Sequence, residues 1–338
     1  MSLPVSIPVN PKINRAALCD GRARFREIVD AINADHGARL HDHRDTADFF
    51  YDLGEEPAGK ANPVDIEHTM DGVNVIVVPG FMGECFASIV DCLTDGLSHI
   101  ETFGARTSIA QVAGRGGSSH NGRILREHIL NVTRDSDKRT ILIPMSKGAP
   151  DTLEMLDQFP EIAERIDAIV SLVGCVGGSP LRYTVPTWLR VFLSSWPIPN
   201  CKPYGMAPAI SMDPRVRAEF LERFAFPQSV KTYSVGVVTS EDQVCRGMLH
   251  PYQTLRKFDP VNGHLNDSQL MLADQILPNA KFLGALNSNH VAAAMPVERS
   301  HHWFARLVAG VALDKTAFPR EVLVEAIVRQ VLEDLPIS

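Results

Sequence analysis

The sequence predicts an α/β fold: a mostly parallel sheet with helices on both faces. Two observations carry this. Strand-length runs of apolar and β-branched residues recur at Val73–Val78, Thr107–Ala113, Thr140–Ile143, Ile166–Val173, Lys231–Val238 and Lys281–Leu286, with almost no charge inside them. Strands buried on both faces read this way. Stretches of helical apolar spacing separate the runs, and that alternation is the pattern of parallel strands joined by crossover helices.

Composition agrees. The chain has 338 residues, 45% of them hydrophobic, enough for a substantial core and too many for global disorder. The formal charge is −7, and no basic stripe with interleaved aromatics is present, so nucleic acid is not expected as a partner. The six cysteines, Cys19, Cys85, Cys92, Cys175, Cys201 and Cys245, include no C-x-x-C pair and read as buried free thiols of a reducing compartment. Met1–Asn10 lacks the basic-then-apolar pattern of a signal peptide. The longest apolar stretch, about Val185–Pro199, holds Arg190 and three prolines and is too short to span a bilayer. The expectation is a soluble, cytoplasmic protein.

Residues 1–70 read as an N-terminal helical extension to a main domain at 71–338. Asn14–Asn33 has helical spacing through Leu18, Phe25, Ile28, Val29 and Ile32, and Glu55–Pro63 reads as a linker. His41-Asp42-His43 with nearby carboxylates has metal-ligand residue types but no evident third ligand, and reads as a solvated turn. No metal and no cofactor is expected.

The strand Val73–Val78 runs into Pro79-Gly80-Phe81-Met82-Gly83, where glycine lets the backbone approach a ligand closely, and then into a helix at about Cys85–Ser98. Thr107–Ala113 is followed by Gly114–Ser119, a glycine-rich loop without the spacing of a nucleotide-binding motif, and by a helix over Gly122–Thr133. At Arg139–Asp151 a buried strand stops at Pro144, passes Met145, Ser146, Lys147 and Gly148, and enters a helix reaching about Phe159. A serine at such a corner presents its hydroxyl to substrate, beside amides at a helix start that face developing negative charge. Gly148 is required because the chain turns too tightly there for a side chain.

After Ile166–Val173 the rhythm breaks. Residues of about 176–228 read as a cap insertion whose Trp188, Leu189, Phe192, Leu193, Trp196, Met206 and Met212 would line an acyl-sized pocket. Asp213–Phe224 reads as a helix with Pro214 in its first turn. Beyond Lys231–Val238 come Glu241 and Asp242, then a polar turn over Gly263–Gln269 before a predicted helix at Leu270–Ile276. Asn287–His290 follows the last strand, and amphipathic helices are expected at Trp303–Leu313 and Arg320–Leu335.

Ligands of open parallel sheets sit beyond the carboxyl ends of the strands. Ser146, Asp267 and His290 fall there in the order nucleophile, acid, base. His290 would take the proton of Ser146, and Asp267 would orient the imidazole and stabilise its charged form. Asp242 is the alternative acid. Phe81 and Lys147 would donate backbone N–H groups to the oxyanion. His264, His301 and His302 fit the base role less well, since none directly follows a strand end after the acid.

With these segments in place, the chain resembles the α/β-hydrolase superfamily, and within it the lipase- and esterase-like hydrolases. The resemblance covers about Asp71 to the C-terminus. It rests on P-G-F-M-G at Pro79–Gly83, S-K-G at Ser146–Gly148, N-D-S-Q at Asn266–Gln269 and S-N-H at Ser288–His290. Pro144 departs from the G-x-S-x-G pattern at its first position. The resemblance implies a serine hydrolase that cleaves small-molecule carboxylic esters through an acyl-enzyme, with Asp267 on an Asn-Asp turn and His290 about two dozen residues later. An acyltransferase or thioesterase would use the same residues, and a non-catalytic binding protein of the same fold is the alternative from another class.

Overall fold

The computed structural model describes the whole chain except residues 60, 87–91, 135, 189–190, 192–194, 198–200, 301–314, 316 and 336–338. Its strands are β1 (Cys19–Asp20), β2 (Val73–Val78), β3 (Arg106–Ile109), β4 (Arg139–Pro144), β5 (Ala168–Leu172), β6 (Lys231–Val238) and β7 (Lys281–Asn287). They form one sheet in the order β1-β7-β6-β5-β4-β2-β3, and every neighbouring pair is parallel. The longer helices are α1 (Arg22–Asp35), α2 (Thr94–Glu101), α3 (Ser118–Thr133), α4 (Gly148–Gln158), α5 (Pro214–Arg223), α6 (Leu249–Phe258) and α7 (Arg320–Asp334).

The period-two pattern of the strands divides the core in two. Val73, Val75 and Val77 of β2 face a layer built on Phe25 and Ile28 of α1, Leu97 of α2 and Val324 and Ile327 of α7. Ile76 and Val78 face the opposite layer, with Leu125 and Ile129 of α3 and Leu153 and Leu156 of α4. All six positions of β2 and all five of β5 are buried, so a continuous apolar run is the required composition. Each buried aliphatic side chain is worth about 1.5–3 kcal/mol, and both faces supply them.

Several elements differ from the sequence reading. The predicted strand Thr107–Ala113 runs instead over Arg106–Ile109, and the predicted helix Cys85–Ser98 is not continuous, since Leu93 takes a φ of 56° just before α2. The apolar spacing over Asn14–Asn33 is not one helix: Arg15–Ala17 is a short turn, Cys19–Asp20 is an edge strand, and α1 begins at Arg22. Gly21 marks the boundary because a Cβ there would stand 2.6 Å from the Lys281 side chain. The first seventy residues therefore give the sheet a strand as well as a helix. The predicted helix at Leu270–Ile276 shortens to one turn at Leu272–Gln275, since the chain doubles back there and Leu272 N–H donates to the Leu265 carbonyl. Helix α7 is not amphipathic: every residue from Arg320 to Val331 is buried. Its charged groups are satisfied inside, Arg320 by Asp95 at 2.7 Å and Arg329 by Glu325 at 2.8 Å. The predicted helix Trp303–Leu313 lies outside the described residues.

Among the described residues no helix is long and apolar enough to cross a membrane. The parallel register brings the turns after β2, β4, β6 and β7 to one end of the sheet.

Asp274 ties three segments together at that end. Its carboxylate accepts from Asn10 Nδ2 at 2.6 Å and its carbonyl from the Gly177 amide at 3.0 Å. Burial pushes its carboxyl up to about 6. Because the folded value exceeds the unfolded one, roughly 3.9, the folded chain holds the proton more tightly. That contribution to stability is present below about pH 4 and lost as pH rises through about 6. Asp274→Asn keeps an acceptor for Asn10 and removes the titration. Denaturant melts are expected to show it gaining stability on the wild type between about pH 4 and pH 7, by up to about 2–3 kcal/mol.

Candidate active site

Strand β4 ends at Pro144 and α4 begins at Gly148, so the chain reverses over three residues. Ser146 takes up the bend with φ of 47°, in the left-handed region that costs a non-glycine residue about 1–3 kcal/mol. Its amide donates to the Leu172 carbonyl at 3.2 Å, and its carbonyl accepts from the Cys175 amide at 2.8 Å. Both bonds hold it to the end of β5. A Cβ on Gly148 would stand 2.3 Å from the Val78 carbonyl oxygen, and one on Gly80 would stand 2.9 Å from Ser146 Cβ. Pro144 pairs with Val78 as the last strand residue and lies before the bend, so the elbow forms without a glycine at that position.

The structure brings Ser146, His290 and Asp267 into one hydrogen-bonded chain. Ser146 Oγ lies 2.9 Å from His290 Nε2, and His290 Nδ1 lies 2.6 Å from Asp267 Oδ2. With Nδ1–H donated to the carboxylate, Nε2 presents its lone pair to the serine hydroxyl. Asp267 is fully buried, and its other oxygen accepts from the amides of Gln269 at 2.8 Å and Leu270 at 2.7 Å. Asn266 carries this turn on its own side chain, which accepts from Ser268 N–H and donates to the Gly263 carbonyl. The His290 amide donates to the Asp267 carbonyl at 3.1 Å, so backbone as well as side chains join the two loops. Next to the histidine, Asn289 Oδ1 accepts from the amides of Val291 and Ala292 and stiffens that turn.

Asp242 is placed elsewhere. It is exposed in a short turn after β6, with its carboxylate held below its usual range chiefly by a bond from Ser240. His264 is exposed, and His301 and His302 lie outside the described residues. Phe81 lines the same cavity as Ser146 and Lys147 follows Ser146 in the chain, and no hydrogen bond from either amide is found among the described residues. The Lys147 amide also stands at the start of α4, where the helix dipole favours an anion.

Several neighbours were not singled out from sequence. The Lys147 side chain turns inward and pairs with Asp151 at 2.7 Å, and Asn121 donates to the same carboxylate at 2.6 Å. Asn121 in turn bonds both backbone groups of Ala113, linking the elbow to the loop after β3. The Lys-x-x-x-Asp spacing, one helical turn, was the available signal. Arg115, inside the glycine-rich loop, is fully buried and donates to the Trp196 carbonyl at 2.7 Å and to the Cys201 carbonyl. That loop holds the cap.

The site opens on a cavity of about 210 Å³ lined by Ser146, Phe81, Leu181, Val185, Met212 and Leu270 among others. Met212 is in its wall, as the sequence reading expected. Trp188 and Trp196 are not: they are 71% and 52% exposed. Leu189, Phe192 and Leu193 lie outside the described residues. Cys175 also lines the cavity, but burial pushes its thiol up to about 12, so it stays protonated beside the serine. Among the described residues of the wall Arg182 is the one cationic side chain, paired with Asp213 at 3.3 Å.

No protein-family model matches the chain, and no curated protein is significantly similar to it in sequence. Solved structures match it in fold. A metagenomic carboxyl esterase, MGS0156, is 32% identical, with a TM-score of 0.88 over 99% of this chain and 97% of its own. The chain belongs to the α/β-hydrolase superfamily. Bacillus licheniformis lipase BlEst2 in its mature form shares the fold at 17% identity, with a TM-score of 0.50 over 68% of this chain and 89% of its own.

The cysteine reading needs correction. Cys85 and Cys201 form a disulfide, and the free thiols are Cys19, which is exposed, and the buried Cys92, Cys175 and Cys245. The bond joins the segment just after the Phe81 turn to the cap. A spacing of 116 residues gave no local signal. In the chain-entropy account a loop of this length stabilises by about 4–5 kcal/mol. The Cys85→Ser/Cys201→Ser double variant is expected to melt several degrees lower than the oxidised protein, and dithiothreitol should then have little further effect on its melting temperature.

Proposed function

We propose that this superfamily member is a serine hydrolase of carboxylic esters. The observation that carries the reading is the hydrogen-bonded chain Ser146 Oγ–His290–Asp267, with the hydroxyl at the wall of an apolar cavity. Ser146 Oγ attacks the ester carbonyl while His290 Nε2 takes its proton. The carbonyl oxygen becomes an oxyanion, met by the amides of Phe81 and Lys147. A donor of this kind is worth about 3–4 kcal/mol of barrier. His290 then protonates the departing alkoxide, leaving Ser146 acylated. In the second half His290 takes a proton from water, the hydroxide attacks the acyl carbonyl, and Ser146 leaves with the proton returned from His290. Asp267 holds the required tautomer and stabilises the imidazolium.

The likeness over nearly the whole chain to a carboxyl esterase supports ester bonds as the target. The aliphatic wall at Leu181, Val185 and Met212 suits an apolar acyl group or alcohol.

Ser146→Ala is expected to abolish turnover of a p-nitrophenyl acyl ester and labelling by a fluorophosphonate while leaving the circular dichroism spectrum unchanged; turnover retained in that variant would sink the assignment. Asp267→Asn should lower kcat by about 10⁴, through loss of the correct tautomer. Met212→Trp narrows the cavity and should reduce kcat/KM for long acyl chains at least about tenfold more than for acetyl, a shift of about 1.4 kcal/mol, read from a panel of chain lengths.

A further inference from the structure

On the α1 side of the sheet, two imidazoles and a carboxylate converge away from the serine. His36 follows the end of α1, His99 lies on α2 and Glu325 on α7. His36 Nε2 is 2.8 Å and His99 Nε2 is 2.7 Å from the same oxygen, Glu325 Oε2. Glu325 is fully buried, and its other oxygen, Oε1, accepts from Arg329 at 2.8 Å. His36 Nδ1 lies 2.7 Å from Asp35 Oδ2. The ring of Phe103 packs against both imidazoles, with centroids 6.0 and 5.2 Å away.

Proton accounting makes this arrangement unusual. Each nitrogen of His36 faces a carboxylate oxygen. With both carboxylates ionised, hydrogen bonds at both contacts would need a proton on each ring nitrogen of this nearly buried side chain. A divalent cation removes the requirement. The neutral tautomer then donates Nδ1–H to Asp35 and offers Nε2 as a ligand, the outer carboxylate arrangement of metal-bound histidines. Arg329 occupies Oε1 and leaves Oε2 to bind through one oxygen.

We propose that His36 Nε2, His99 Nε2 and Glu325 Oε2 form a binding site for one zinc ion, with water as the fourth ligand. The three atoms lie within 4.8 Å of one another. Bonds of about 2.0–2.1 Å in a tetrahedron place ligand atoms about 3.3 Å apart, so each close contact opens by about half an ångström. Two imidazoles and one carboxylate suit zinc better than the hard, all-oxygen cations. The ion would clip together the N-terminal helix α1, α2 and the central helix α7. It is separate from the His41–His43 segment, where His41 is exposed and paired with Glu321. It also does not depend on the ester reading.

The test uses the full-length chain, stripped with a chelator and titrated with zinc chloride by calorimetry and thermal melting. The expected result is one zinc per chain and a melting temperature that rises with zinc. His99→Gln should weaken binding at least about a hundredfold and Asp35→Asn about tenfold. Both leave the Glu325–Arg329 pair in place, so folding is preserved, and exposed His43→Gln should bind as the wild type does. Absence of stoichiometric binding to the wild type, or equal affinity in His99→Gln, overturns the proposal. Ester turnover, measured alongside, should be unchanged by zinc or chelator.

Discussion

The elbow at Ser146 is the constraint on which the rest of this protein depends. A non-glycine residue is held at positive φ between a strand and a helix, with Gly148 pressed on the Val78 carbonyl and Gly80 on Ser146 itself. That conformation is unfavourable alone. It persists because β5 and the loop that follows it bond the two backbone groups of Ser146, and because Lys147, Asp151 and Asn121 form a buried ionic and hydrogen-bonded brace behind it. The same bend leaves the Ser146 hydroxyl 2.9 Å from His290 Nε2 and at the wall of the cavity.

A parallel sheet makes the other contributions converge. Each strand delivers its following turn to the same end, so residues far apart in sequence meet without long loops. The turn carrying Asp267 is bound to the end of β6 through the Thr239 amide and the Asn266 carbonyl, and His290 is bound to Asp267 through the backbone. Two buried arginines hold the cap. Arg115, outside it, grips the carbonyls of Trp196 and Cys201; Arg217, within it, donates to the Val176 carbonyl at 3.0 Å and lies 3.9 Å from Glu154 of α4. Burial lowers the Arg217 guanidinium to about 10, which still leaves it charged at neutral pH. Its stacking over Phe220, 4.3 Å from the ring centroid, adds to the hold.

Burial on both sides of the sheet also explains where sequence patterns misled. Apolar spacing through Leu18 and Phe25 is helical in period, yet a strand and a glycine turn separate them. The polar residues of α7 looked like a solvated face. They are instead paired within a layer formed by α1, α2 and the segment near Ile66, where Arg329 donates to the Asp65 and Ile66 carbonyls. Trp188 and Trp196 were assigned to the pocket by hydrophobicity alone, and they face solvent. Hydrophobicity records what burial would favour and carries no direction.

What the sequence by itself determined was whatever rests on local order. The strand runs at Val73–Val78 and Lys231–Val238 have their ends where the apolar pattern stops, and the S-K-G corner follows from a buried strand meeting a helix start. The order of Ser146, Asp267 and His290 was legible because turn chemistry follows strand ends. Only the tertiary structure decided which carboxylate reaches His290, how Cys85 finds Cys201, and how His36, His99 and Glu325 come to share one oxygen. Each is a distance between segments far apart along the chain, set by strand register and helix packing, and no local pattern encodes it.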